Sequence, residues 1–248
     1  MKTLLISDIH GNLPALQTVL DNEVYDEIIV LGDIVDYGPF PGEVLDVLRS
    51  IGARIIRGNH DHAVGYGVDC KCGEATHWVS VWFRENITNK LLSNNDKEYL
   101  ARLPLFIERD NALFVHGSPS NPLYDYLYPW IGYKEITEKI SRIVTSRKYV
   151  FGKTIDKHRY KRIYVGHTHV QFMLTIDSTQ VINPGSIGQP RDGDPRAAYA
   201  VVENDTVIFK RIKYPVEKII RRYEELKIPD PYYSFLKQLL LTGRLPHR

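Results

Sequence analysis

Short runs of leucine and β-branched residues recur along the chain at 3–6, 28–31, 55–56, 113–115 and 163–165, each followed by a polar or glycine-containing turn. Runs of this length and composition predict buried strands. A helix fits 13–20, with Asn12 placed to cap it, Pro14 in its first turn, and Leu13, Leu16, Val19 and Leu20 on one face. Another begins near Pro41, buries Val44, Leu45 and Leu48, and stops at Gly52. Strand and helix therefore alternate through the first sixty residues, which predicts a parallel sheet with right-handed crossovers.

After Asp61 the pattern turns polar and aromatic with helical spacing, over about 74–89 and 95–103, then returns to strands at 105–108 and 112–115. A Pro- and Tyr-rich stretch, 118–132, precedes a helix expected near 133–145. Further strands are expected at 172–176, 180–182, 198–203 and 206–212, the last two joined as a hairpin through Asn204 and Asp205. The tail from Pro215 carries two amphipathic helices, broken at Pro229 and Pro231 and ended at Gly243. These features suggest one domain over 1–214 with insertions at about 63–103 and 118–162, and a helical extension over 215–248 packed on the same domain. A dimer contact is the alternative use of its apolar stripes.

With 248 residues, 43% of them hydrophobic and 25% charged, the chain has the composition of an ordinary soluble domain. No apolar run approaches the roughly 20 residues of a membrane helix. A candidate ligand at position 8 leaves no room for a removable leader, so a cytoplasmic location is expected. The net charge of +2 is unevenly spread: over 147–162 seven basic residues face the single acid Asp156. Such a patch suits an anionic substrate or a nucleic-acid backbone, although a solvated surface loop is the simpler reading. The two cysteines, Cys70 and Cys72, are too few for a disulfide framework. With His77 they form Cys-x-Cys-x4-His, three soft donors without an evident fourth, and two cysteines in a polar loop is the plainer reading.

The turns after the strands hold the chemistry. They read Asp8-Ile9-His10, Gly32-Asp33-Ile34-Val35-Asp36, Gly58-Asn59-His60-Asp61, Val115-His116-Gly117 and Gly166-His167-Thr168-His169. In an extended segment residues i and i+2 point to one side, so Asp8 and His10 can reach one centre, as can His167 and His169. Carboxylate, amide oxygen and imidazole together suit Mn²⁺, Fe or Zn²⁺ in a catalytic site. Each fragment alone is weak, since a lone histidine after a strand is usually a hydrogen-bonded residue. Five in order at strand ends are hard to explain structurally.

In this order the fragments resemble the calcineurin-like metallophosphoesterase family. They are most similar to its smaller prokaryotic-type branch, which includes members described as diadenosine tetraphosphatases and phosphodiesterases. The similarity spans about residues 3 to 203. It implies an α/β fold, a four-layer α-β-β-α sandwich of two mixed sheets with flanking helices and the metal site at the strand ends. It assigns Asp8, His10, Asp33 and His169 to one metal, and Asp33, Asn59, His116 and His167 to the other. The implied cofactors are two divalent ions, Mn first, with Fe, Zn or Ni as alternatives. A water shared by the two ions would attack phosphorus, with His60 as general acid and Asp36 orienting it.

The protein Ser/Thr phosphatase branch has Arg after Gly-Asp-x-x-Asp and Glu after Gly-Asn-His, where this chain has Tyr37 and Asp61. Arginine would clamp a dianionic monoester, so its absence favours diesters. Arg57 and Arg191 are candidate phosphate contacts. His62 is read as structural, and Tyr124, Tyr126, Tyr128 and Trp130 as loop packing before base stacking. The expected function is hydrolysis of phosphodiesters, with monoesters second. Alternatives are a dinucleoside polyphosphate hydrolase, a nuclease using the basic patch, or a catalytically silent metal-binding scaffold.

Overall fold

The structure is a computed structural model and describes residues 1–143, 153–154 and 160–246. In chain order the strands are β1 (Lys2–Ile6), β2 (Glu27–Val30), β3 (Arg54–Ile55), β4 (Phe106–Arg109), β5 (Ala112–Val115), β6 (Arg142–Ile143), β7 (Lys153–Thr154), β8 (Arg162–Tyr164), β9 (Gln171–Ile176), β10 (Thr179–Pro184), β11 (Ala197–Glu203) and β12 (Thr206–Ile212). The helices are α1 (Leu13–Asn22), α2 (Pro41–Ser50), α3 (Asn59–Tyr66), α4 (Glu74–Phe83), α5 (Asn89–Leu91), α6 (Asn94–Arg102), α7 (Tyr133–Ile140), α8 (Val216–Glu225) and α9 (Tyr232–Thr242). A π-helical turn, Arg84–Thr88, continues α4.

Two five-stranded mixed sheets form, in the orders β12-β11-β1-β2-β3 and β4-β5-β8-β10-β9. As expected, β1, β2 and β3 are parallel, and β11 and β12 close a hairpin through Asn204 and Asp205, both with positive φ. The strands alternate between faces, which explains how two sheets stack. Leu5, Ile29, Phe114, Tyr164 and Ile182 meet between the sheets. Their neighbours Leu4, Ile6, Ile28 and Val30 face outward to Leu16, Val19, Leu45 and Leu48 of α1 and α2. On the other side Leu113, Val115, Ile163 and Val181 pack on Ile136 and Ile140 of α7. The result is the expected four-layer sandwich, its helices held by period-two alternation on both sheets.

Local signals act as read. Asn12 accepts a hydrogen bond from the amide of Ala15, 3.1 Å away, and Pro41 opens α2. The helix expected at 133–145 ends at Ile140, and residues 144–145 lie outside the described ones. So does most of the basic 147–162 stretch. Of its basic side chains only Lys161 and Arg162 are described, and Arg162 pairs with Asp205 and Gln180. Helices α8 and α9 join α4 in a separate apolar cluster that includes Tyr37, whose carbonyl accepts a 2.7 Å hydrogen bond from Tyr223. Among the described residues no helix is long and apolar enough to cross a membrane.

Leu5 is fully buried between the two sheets. Leu5→Ala is expected to lower the urea unfolding free energy by about 3 kcal/mol, because the sheets cannot collapse onto the void. A loss below about 1 kcal/mol would show that this interface repacks freely.

Candidate metal centre

The five motif fragments meet at one rim, where β1, β2, β3, β5 and β8 end and the chain turns. The turns are sharp. Asp8, His10, Asp33, Asp36, Tyr37, His167 and His169 all have φ between 48° and 68°. Non-glycine residues rarely adopt this left-handed conformation, and clusters of it mark strained functional sites. The strand-pleat explanation for Asp8 with His10 is therefore corrected: both lie beyond β1, and left-handed turns bring them together. His167 and His169, unlike Asp8 and His10, do not share one cluster. The same geometry sends them apart, His169 to Asp8 and His10, His167 to Asp33 and His116.

Three backbone ties hold the rim. Asp61, fully buried, accepts from the amides of Asp33 (2.8 Å), Ile34 (2.8 Å) and Gly58 (3.0 Å), fastening the loop after β2 to the start of α3. Ser7 donates to Asp8 Oδ2 at 2.5 Å, and the His167 amide reaches the same oxygen at 3.1 Å. Asp33 Oδ1 accepts from the His60 amide at 2.9 Å. Any side chain on Gly58 would collide with that carboxylate, so glycine is required there.

The ties orient the remaining atoms. His10, His116 and His169 give Nδ1–H to the carbonyls of Val35 (2.9 Å), Leu31 (2.6 Å) and Gln189 (2.6 Å), which leaves each Nε2 lone pair facing inward. His10 Nε2 and His169 Nε2 lie 3.3 Å apart, with Asp8 Oδ1 3.4 Å from the latter. Around the second point, His116 Nε2 is 3.1 Å from Asn59 Oδ1, 3.1 Å from His167 Nδ1 and 3.2 Å from Asp33 Oδ2. Asp33 Oδ2 is also 3.8 Å from His10 Nε2, so it faces both clusters. Asp8 Oδ1 and Asp33 Oδ2 are buried without a hydrogen bond. Acceptors gathered this closely repel one another unless a cation lies among them, and this donor set fits divalent ions.

Electrostatics shows the same frustration. Burial raises Asp8 to about 7 and lowers His10 to about 3. Burial likewise holds His167 and His169 well below the ordinary histidine value, aided by His116 and Arg191 respectively. For Asp33 burial is outweighed by the imidazoles of His116, His60 and His10, which keep it well below the usual carboxylate range. Burial is also outweighed at His116, where Asp33 pushes the imidazole up to about 9.

His60 and Asp36 sit beside the clusters. His60 Nδ1 is 2.9 Å from Asp36 Oδ2, while its Nε2 lies 4.0 Å from Asp33 Oδ2. Burial disfavours a proton on His60, but Asp33, Cys70 and Asp36 raise it above the ordinary value. Sequence reading missed Arg84, which is buried, binds Asp36 Oδ2 through Nε at 2.8 Å, and opens the π-helical turn. No local signal marks it, since 48 positions separate it from Asp36.

The two arginines part company. Arg191 lies close enough to lower His169 and His10 electrostatically, and its Nε is buried without a partner. Arg57 instead turns to the Ala101 carbonyl and to Tyr66 Oη at 3.2 Å, and the structure does not bring it into the cluster. The loop aromatics do more than pack: Tyr126 stacks on the His167 ring at 3.9 Å, then Tyr128 and Trp130 follow at 5.5 and 4.9 Å. Half-buried His62 rests against Tyr66, as a structural residue would.

A ligand must lose its proton before it can bind a metal. With His116 near 9 and Asp8 near 7, divalent metal binding is expected to release protons and to strengthen between pH 6.5 and 9. Calorimetry at pH 7.5 in two buffers of different ionisation enthalpy measures the protons released, and proton-neutral binding would contradict this electrostatic picture.

Known proteins resemble the chain along nearly its whole length. The sequence profile of the calcineurin-like phosphoesterase superfamily domain matches residues 1–206. The uncharacterized protein MJ0912 of Methanocaldococcus jannaschii is 32% identical over 97% of both chains. Phosphodiesterase YfcE of Escherichia coli is 22% identical over 84% of this chain and 90% of its own length. A metallophosphoesterase of known structure from Sphaerobacter thermophilus superposes with a TM-score of 0.75 at 29% identity, covering 98% of this chain and 100% of that one. The chain thus belongs to the calcineurin-like phosphoesterase superfamily, whose members depend on metal, and is a hydrolase acting on phosphoester bonds.

Proposed function

We propose that the chain is a two-metal phosphodiesterase. Asp8, His10, Asp33 and His169 hold one ion, and Asp33, Asn59, His116 and His167 the other. The observation that carries this reading is Asp33 Oδ2, buried, unpartnered and facing both clusters. Oxygen and imidazole donors without thiolate favour Mn²⁺ first. When bound, such ions supply an activated water and offset charge on the phosphoryl oxygens. The catalytic unit is residues 1–214, with 215–248 as an extension.

The chain's own groups do the rest. His60 presents Nε2 to the centre and gives its proton to the departing alkoxide. Asp36 receives His60 Nδ1–H, fixing tautomer and ring plane, and Arg84 keeps Asp36 ionised in a buried site. Arg191, with a buried Nε to satisfy, meets a phosphoryl oxygen. The position after Gly-Asp-x-x-Asp is occupied by buried Tyr37, whose ring packs on His10 and His60. With Tyr37 where the protein phosphatase branch has arginine, the site suits the single charge of a diester.

Purified protein supplied with Mn²⁺ is expected to bind two metal ions and to hydrolyse diesters ahead of monoesters across a panel that includes dinucleoside polyphosphates. Two bound ions with no turnover of any ester would leave the scaffold reading instead. His60→Ala is expected to keep both ions and lose about 10²- to 10⁴-fold in kcat. Arg84→Ala should lower kcat less and shift the acidic limb of its pH profile. An unchanged kcat in His60→Ala would remove the general-acid role.

A further inference from the structure

Beside the metal centre a second group of donors gathers around the two cysteines. Lys71 has φ 49°, and its amide donates to Asp69 Oδ1 at 2.6 Å. This tight turn places Cys70 Sγ and Cys72 Sγ 3.1 Å apart. His77, one turn into α4, directs Nε2 to both oxygens of Asp69 at 3.0 Å. Ligand atoms of Asp69, Cys70 and His77 lie within 4.8 Å of one another, and Cys72 adjoins this group through Cys70, with which it also forms a group facing His60. Asp69, Cys72 and His77 line a solvent-facing cleft of about 460 Å³. Both thiols are free and buried, whereas Asp69 and His77 are exposed enough to receive an ion from solution.

We propose that Asp69, Cys70, Cys72 and His77 form a separate site for a zinc-like divalent cation. The fourth donor that the Cys-x-Cys-x4-His spacing lacks is the residue immediately before it, brought in by the left-handed turn at Lys71. Two thiolates, an imidazole and a carboxylate make the closed tetrahedral set of a structural site. Two sulfurs on such an ion sit about 3.8 Å apart, as follows from a metal–sulfur bond of about 2.3 Å, so the thiols need open by less than 1 Å, with the Cys72 side chain turning from the His60 side toward Asp69 and His77. Thiolate selects zinc over manganese, so this site and the oxygen- and imidazole-lined centre sort different ions.

The position gives the ion a structural purpose. The Cys70 carbonyl accepts from Asn59 Nδ2 at 2.8 Å, which turns the Asn59 amide oxygen toward the centre. Cys70 Sγ touches Ser80 Oγ at 3.5 Å, and Ser80 also binds Arg84 at 2.8 Å. An ion here would clip the 67–73 loop to α4 and so steady both contacts.

The test uses Co²⁺ with the full chain. Because the main cluster has no sulfur donor, a thiolate-to-cobalt charge-transfer band in the near ultraviolet reports the cysteine site alone, whether or not any ester is hydrolysed. With the main centre first filled with Mn²⁺, the expected result is that band saturating at one cysteine-bound Co²⁺ per chain and lost on addition of Zn²⁺. Cys70→Ser/Cys72→Ser should abolish it and lower bound zinc by one, leaving Mn²⁺ stoichiometry at the main cluster unchanged. His77→Ala, altered only in the exposed cleft, should fold normally and weaken cobalt binding at least about tenfold. Absence of the band in wild-type protein whose two thiols titrate as free would overturn the proposal. So would a Cys70–Cys72 disulfide in protein purified under reducing conditions, or a band unaffected by His77→Ala.

Discussion

Asp33 is the residue on which the rest of the site depends. It is buried, one carboxylate oxygen is held by the His60 amide, and the other faces imidazoles from both clusters. Water cannot neutralise a carboxylate at that depth, so the surrounding positive charge must come from protonated histidine or a cation. Without metal the field of Asp33 drives His116 up to about 9, and burial, with the Asp33 charge adding to it, drives Asp8 up to about 7. A divalent ion relieves both at once. The cluster is thus arranged at a cost in stability, as expected of a site whose ligands are placed for function.

Much of the surrounding structure holds these atoms in place. The left-handed residues around the rim are not stable alone, and each is secured by a neighbour. Asp61 ties two loops through backbone amides, and the carbonyls of Val35, Leu31 and Gln189 fix three imidazole tautomers. Because these ties run to the backbone, they tolerate side-chain change elsewhere. They also rest on two stacked sheets whose inner faces share Leu5, Ile29, Phe114 and Ile182. A rigid scaffold under strained loops is how a fold keeps reacting groups in place.

The insertions belong to the site as well. Tyr126 lies on the ring of His167, and its hydroxyl accepts from the Gly73 amide at 3.1 Å, joining the loop after β5 to the loop before α4. Helix α4 carries Ser80 and runs into the turn that bears Arg84, and α8 supports Tyr37 from behind. The hydrogen-bonded surroundings of His60 therefore depend on elements distant from the strand rim.

The sequence alone determined what period-two alternation and turn chemistry encode. Strand positions, the parallel start, the hairpin at Asn204 and Asp205, and the five polar turns were legible because each depends on residues close in the chain. Asp8, His10, Asp33, Asn59, His116, His167 and His169 could be named as donors, and Asp36 could be paired with His60. Their grouping came from the family resemblance and not from spacing, since i, i+2 alternation does not apply where the backbone is left-handed. Arg84, the stacking of Tyr126 on His167 and the turning away of Arg57 were invisible. They follow from helix and loop packing over 41 to 48 positions, and only the folded chain brings such distant side chains within hydrogen-bonding and stacking range.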